Sequence, residues 1–131
     1  LKPKVTCMEN PESSAKKLRD ASFIKEAERR LKIAPHSTPY CSYGFPYRKQ
    51  TTIWSSLPLQ LLHCQSTPCP AMKRLGIHLF TAQAGPSKTG TPGTRKEDSY
   101  AVPPLLMMYI LLQTLLFLLG IDAGVAPKGT T

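Results

Sequence analysis

The hydrophobic and polar positions change their period near the start of the chain, and the change predicts a strand followed by a helix. Residues 5–8 form a short apolar, β-tending run that stops before Asn10 and Pro11. Asn10 suits a helix N-cap and Pro11 suits the first helical position, so we expect the helix to continue from there to about Ile33. The apolar face predicted for this helix consists of Phe23, Ile24, Ala27, Leu31 and Ala34.

Beyond the helix, the pattern predicts a hairpin, a long loop and an apolar helix. Two β-tending segments, 38–43 and 51–55, flank a turn with Gly, Pro, aromatic and basic residues, which indicates an antiparallel hairpin. Residues 57–99 have no sustained period, and their many Pro, Gly, Ser and Thr residues favour loop. Residues 101–121 carry no charge and are long enough for a membrane-spanning helix.

The composition of the chain indicates that it binds polyanions. The 131 residues suffice for one modest domain. Because 16 of the 17 Lys and Arg residues and 7 of the 8 Asp and Glu residues precede Ala101, the net charge of +9 lies entirely in that part. Such a basic body attracts nucleic acid or an anionic membrane surface through a field that salt weakens.

The cysteines do not indicate a disulfide framework, because no signal peptide precedes them, and the lack of an initiator Met suggests a fragment. Cys41, Cys64, Cys69 and His78 could supply four zinc ligands. However, the Cys-x4-Cys spacing is looser than usual, and the sequence does not fix the other two positions. We therefore expect no metal site.

Three segments resemble late motifs of the cytosine-C5 DNA methyltransferases, especially the compact forms of phages and mobile elements. Residues 8–14 (MENPESS) resemble the Glu-Asn motif at the end of a core strand, with Pro11 where the main family has Val. Residues 43–54 (YGFPYRKQTTIW) are similar to the Tyr-Gly-x-Pro hairpin with its basic residues, and residues 101–106 (AVPPLL) to the segment that opens the last helix. The three occur in the family's order and span most of the chain.

The resemblance implies an α/β fold, namely the C-terminal half of a doubly wound S-adenosylmethionine-dependent methyltransferase domain, partial and with much loop. Residues 1–56 would be a partial catalytic domain, 57–100 a short basic recognition region or loop, 101–121 a closing apolar helix and 122–131 a tail. The parent's partner would be DNA and its cofactor S-adenosylmethionine, which Val102 and Pro103 would contact. No protein partner is implied, and a eukaryotic parent would be nuclear.

The family's chemistry assigns roles to individual residues. A cysteine thiolate attacks C6 of a flipped cytosine while an acid donates a hydrogen bond or proton to the ring N3. The resemblance gives that role to Glu9, with Asn10 beside it, although both fit ordinary helix capping too. Lys49 stands at the first motif Arg and Thr51 at the second. The residues expected to bind DNA are Arg48, Lys49, Lys73, Arg74, Lys88, Arg95 and Lys96.

Two interpretations from different classes follow. The family's cofactor glycines and Pro-Cys nucleophile precede the Glu-Asn strand, and only eight residues precede Glu9, so we expect no methyl transfer by this chain alone. The alternative is a small basic protein with one C-terminal membrane anchor at 101–121. In that case Arg95 and Lys96, just before the span, favour a cytosolic body.

Overall fold

The computed structural model describes residues 3–11, 20–82, 92–94 and 101–120. It has a small mixed α/β fold with three strands, three helices and one 3₁₀ turn in these ranges. The strands are β1 (Cys7–Pro11), β2 (Ala34–Pro39) and β3 (Gln50–Ser55). The helices are α1 (Ser22–Leu31), α2 (Pro70–Leu75) and α3 (Pro104–Leu118), and the 3₁₀ turn is Tyr40–Tyr43.

The strands form one sheet in the order β1-β3-β2, with β3 antiparallel to both neighbours. The central position of β3 follows from its sequence, QTTIWS, in which β-branched and aromatic residues dominate. Ile53 lies opposite Glu9 on one side and His36 on the other. The expected doubly wound sheet stays a prediction, because the strands described here make only this antiparallel sheet.

Each face of the sheet has its own hydrophobic cluster. On one face, Trp54 is fully buried against Ile24 and Ile33, and its indole N–H donates to Glu28 over 3.1 Å. The larger cluster joins the sheet to the 3₁₀ turn, to the segment after β3 and to α3. Its buried members are Tyr40, Tyr43, Tyr47, Ile53, Leu57, Leu59, Leu106 and Ile110.

The predicted start of the first helix is wrong. α1 begins at Ser22, whereas Asn10 and Pro11 lie in β1, where they are paired with Thr52 and Thr51 of the central strand. Asn10 is therefore a strand residue and not an N-cap. Pairing with the central strand outweighs the local capping signal, because the pairing also orders the strand against the hydrophobic core.

The predicted apolar face of this helix is wrong as well. Ile24 is the buried residue of α1. Phe23 and Leu31 are 64% and 47% exposed, and Ala34 belongs to β2. Glu26 forms ion pairs with Arg29 and Arg30 on the surface of the helix.

The hairpin is confirmed in its second strand and shifted in its first. β3 covers the predicted 51–55, but β2 ends at Pro39, before most of the predicted 38–43. The 3₁₀ turn follows and ends at Gly44, whose φ of +96° is a conformation that glycine adopts readily. The turn directs residues 40–43 toward α3 and away from the sheet ladder.

α3 starts at the predicted Val-Pro-Pro segment, with Pro104 in its first turn. Leu106 and Ile110, one turn apart, are buried in the larger cluster. In the ranges that the structure describes, no helix has the length and apolar character needed to cross a membrane. Most other apolar side chains of α3 are exposed, among them Leu105, Met107, Met108, Leu111, Leu112, Leu115, Phe117 and Leu118.

Candidate functional site

The pairing of β1 with β3 places Glu9 in a small polar site beneath the hairpin. The Tyr40 hydroxyl donates to Oε1 of Glu9 over 2.9 Å, and the Thr51 hydroxyl donates to the same oxygen. Thr51 Oγ1 also lies 2.9 Å from the carbonyl oxygen of Asn10. In the described ranges Oε2 of Glu9 has no hydrogen-bond partner. Among the described residues, the carboxylate is thus oriented through one oxygen, Oε1.

Tyr40 connects this carboxylate to the basic loop. Its side chain is buried, the Phe45 ring packs edge-on at 5.7 Å, and Lys49 Nζ lies 5.3 Å from its ring centroid. Burial, together with the hydrogen bond and negative charge of Glu9, raises the pKa of Tyr40 above its usual 10.0. The hydroxyl therefore keeps its proton and remains a donor to Glu9 at neutral pH.

The hairpin positions expected to hold a flipped base have different surroundings. Thr51, at the second motif Arg, is buried and contacts Glu9, so it supports the carboxylate. Lys49 lies over Tyr40, and Arg48 is exposed. The sequence marked Glu9 and the hairpin but gave no signal for Tyr40, whose contact with Glu9 depends on β1 and β2 flanking one central strand.

The remaining residues expected to bind DNA or cofactor fall in several places. Lys73 and Arg74 are exposed in the last turn of α2. Pro103 is buried and Val102 packs against the larger cluster, so both help seat α3, and their contact with a cofactor stays a prediction. Three of the expected DNA-binding residues lie outside the described residues, namely Lys88, Arg95 and Lys96.

A second group of side chains forms a cysteine–histidine cluster. Cys41 comes from the 3₁₀ turn, Cys64 from the segment after β3, Cys69 from the N-cap of α2 and His78 from just beyond that helix. Their ligand atoms all lie within 4.8 Å of one another, and Cys64 Sγ is 3.7 Å from His78 Nε2. The fold therefore brings together four side chains whose spacing in the sequence does not predict it, while the expectation of no metal stays a prediction.

Burial, hydrogen bonds and a nearby charge shift the pKa values of three members of the cluster. Burial and the neighbouring thiols Cys64 and Cys69 raise the pKa of Cys41 to about 12. Burial acts in the same sense on Cys69, but hydrogen bonds from the backbone of Met72 and from the other two thiols lower the pKa below its usual value. Burial, and then the charge of Arg48, lower the pKa of His78, so its ring is neutral at pH 7.

Comparison with protein-family models, curated proteins and solved structures finds no match to this chain.

Proposed function

We propose that this chain is the C-terminal, DNA-facing part of a cytosine-C5 DNA methyltransferase type of domain, in which Glu9 recognises a flipped cytosine. The observation that carries the proposal is the bonding of Glu9 to Tyr40 and Thr51. The bond from Thr51 joins residue 9 of the Glu-Asn segment to the hairpin segment, 42 residues along the chain, and Tyr40 lies just before that segment. The two segments that bear the resemblance therefore build a single site.

The third segment, residues 101–106, opens the helix that packs on the same hydrophobic cluster as Tyr40. Leu106 and Ile110, which follow the Val-Pro-Pro residues, are buried in the cluster that also contains Tyr40 and Tyr43. The ring of Tyr109 packs edge-on against Tyr43 at 5.4 Å. The helix that closes the catalytic domain in the family would thus support the turn that presents Tyr40 to Glu9.

The chemistry of Glu9 suits a cytosine. The second carboxylate oxygen, Oε2, can accept an N–H from the exocyclic amino group of the base, a contact that carboxylates make with cytosine. A protonated Glu9 can donate to the ring N3, as general acid catalysis at that atom requires. Thymine presents a carbonyl oxygen in place of the amino group, so the same carboxylate disfavours thymine.

The rest of the parent domain would complete the reaction. β1 pairs on one side only among the described strands, so its other edge is where further strands of a doubly wound sheet would add. The nucleophile and the other groups that bind S-adenosylmethionine would come from residues outside this sequence, and Val102 and Pro103 would add their contacts to them. The chain by itself contributes recognition, and methyl transfer requires the completed domain.

Phosphate contacts would come from the exposed basic residues. Arg48 projects from the hairpin, and Lys73 and Arg74 lie in the last turn of α2. With a net charge of +9, the chain should bind duplex DNA weakly, without sequence preference and with a steep loss of affinity as salt rises.

Fluorescence anisotropy with a labelled duplex, repeated over a range of salt concentrations, tests this binding. We expect Arg48→Ala to weaken binding and to reduce the slope of log K against log salt by about one. Arg29→Ala is the matched control, because it removes the same charge from α1, where Arg29 is paired with Glu26. Absent or salt-insensitive binding, or equal effects of the two substitutions, would contradict the proposal.

The second candidate function, a small basic protein with a C-terminal membrane anchor, is favoured by the exposed apolar side of α3. Flotation with vesicles that contain anionic lipid distinguishes the two. Membrane anchoring predicts that the chain floats with vesicles and that Leu111→Asp together with Leu115→Asp abolishes flotation. A chain that stays with the DNA and not with the vesicles supports the first function.

A further inference from the structure

We propose that Cys41, Cys64, Cys69 and His78 form a structural zinc site that fixes the segment after β3 to the turn of the hairpin. The proposal rests on the convergence of four ligand atoms within 4.8 Å of one another. It is independent of the function proposed above, because it uses none of the residues of the Glu9 site.

The geometry is close to that of a bound site. With Zn–S bonds near 2.3 Å, a tetrahedral arrangement puts neighbouring sulfurs roughly 3.8 Å apart. The separation of 3.7 Å between Cys64 Sγ and His78 Nε2 already has this scale. The widest separation, up to 4.8 Å, needs a contraction of about 1 Å, which side-chain rotation can supply.

The donor set and its surroundings favour zinc in a closed, structural role. Three thiolates and one imidazole are a common zinc ligand set, and soft sulfur donors disfavour Mg²⁺ and Ca²⁺. The three cysteines are buried, and Ala71 and Met72 pack against them.

A metal would explain how this part of the chain keeps its conformation. Between β3 and residue 82, α2 is the one regular element that the structure describes, and its six residues are too few for a stable isolated helix. The ligands join this segment to the 3₁₀ turn at three points. Arg48 lines a cavity with Cys64, and Arg74 lines another with Cys41 and Cys69, so the metal would lie near two basic side chains.

Metal binding by the full chain tests the proposal. Zinc added to the reduced, metal-free protein should bind at about one ion per chain. It should protect Cys41, Cys64 and Cys69 from alkylation while Cys7, which is exposed and outside the cluster, still reacts. Replacing zinc with Co²⁺ should give the ligand-field bands of a tetrahedral ion and a charge-transfer band from three thiolates.

Matched substitutions decide whether these particular residues bind the metal. We expect Cys64→Ser and Cys69→Ser to weaken zinc binding at least about a hundredfold. The controls Cys7→Ser and His63→Ala remove an exposed thiol and an exposed imidazole, and should leave the affinity unchanged. His78→Cys should keep the metal and raise the cobalt charge-transfer intensity to that of four thiolates.

Three results would overturn the proposal. The first is wild-type protein that fails to bind zinc at micromolar concentration. The second is a loss of affinity in Cys7→Ser as large as that in Cys64→Ser. The third is a stable disulfide between two of the cluster cysteines that persists under mild reduction, because it would leave one odd thiol and too few ligands.

Discussion

Replacing Tyr40 with phenylalanine should lower the free energy of unfolding by about 1.5–3 kcal/mol, the range for a hydrogen bond to a charged group. The Tyr40 side chain is 1% exposed, so water cannot readily replace the hydroxyl that reaches Glu9 over 2.9 Å. Phe45 and Lys49 contact the ring, which the substitution retains. The loss therefore reports the hydrogen bond and not a cavity.

The substitution should also change how stability depends on pH. Because the pKa of Tyr40 is raised in the folded protein, its contribution to stability is complete below the unfolded value of 10.0 and is lost as the pH rises above it. The slope in that range is about 1.4 kcal/mol per pH unit for each such group. The pKa values of Tyr43 and Cys41 are raised as well, so Tyr40→Phe should remove roughly a third of the alkaline slope and not all of it.

Urea denaturation followed by the fluorescence of Trp54, the single tryptophan, measures the first effect at pH 7 and the second above about pH 10. Tyr109→Phe is the control, since it removes a tyrosine hydroxyl but leaves the bond between Tyr40 and Glu9 intact. A loss in Tyr40→Phe no larger than in the control, or an unchanged alkaline slope, would refute this description of the Glu9 site.

Two further predictions concern the hydrophobic clusters. Trp54→Phe should cost about 2 kcal/mol in a denaturation followed by circular dichroism, because it removes the bond to Glu28 and opens a void at a fully buried position. A loss below about 0.5 kcal/mol would contradict the packing of α1 on the sheet. Leu106→Ala should cost about 2–5 kcal/mol, whereas Leu111→Ala, at a position 61% exposed, should stay within about 0.5 kcal/mol. Equal losses would mean that α3 packs through a different face.

The sequence predicted those parts of the fold that depend on local composition. β3 is a run of β-branched and aromatic residues, and α3 begins where two prolines precede an apolar stretch. The start of α1 was wrong because Asn10 and Pro11 satisfy both a helix cap and a strand end. Pairing with a strand about forty residues away makes these two residues the end of a strand, and a local sequence pattern does not show that contact.

In the candidate sites, too, the sequence predicted what depends on local motifs and missed what depends on distant contacts. Glu9 was identified through its motif, but its partner Tyr40 was not, because their contact depends on the order of the strands. The cysteine–histidine cluster depends on a 3₁₀ turn that brings Cys41 back to Cys64 and Cys69. The spacing of the cysteines along the chain argued against a metal site. Spacing contains no information about how the turn brings Cys41 close to the other two cysteines.

Binding of the chain to duplexes that contain one unpaired base tests the proposed role of Glu9 most directly. An unpaired base is easily flipped, so the affinity reports recognition more than the cost of opening the duplex. We predict that a duplex with an unpaired cytosine binds roughly tenfold more tightly than one with an unpaired thymine, in keeping with 1–3 kcal/mol for a well-placed base contact. Glu9→Ala should abolish this preference and retain the salt-dependent binding to phosphates. Equal affinity of the unaltered chain for the two duplexes, or a cytosine preference that persists in Glu9→Ala, would contradict the role proposed for Glu9.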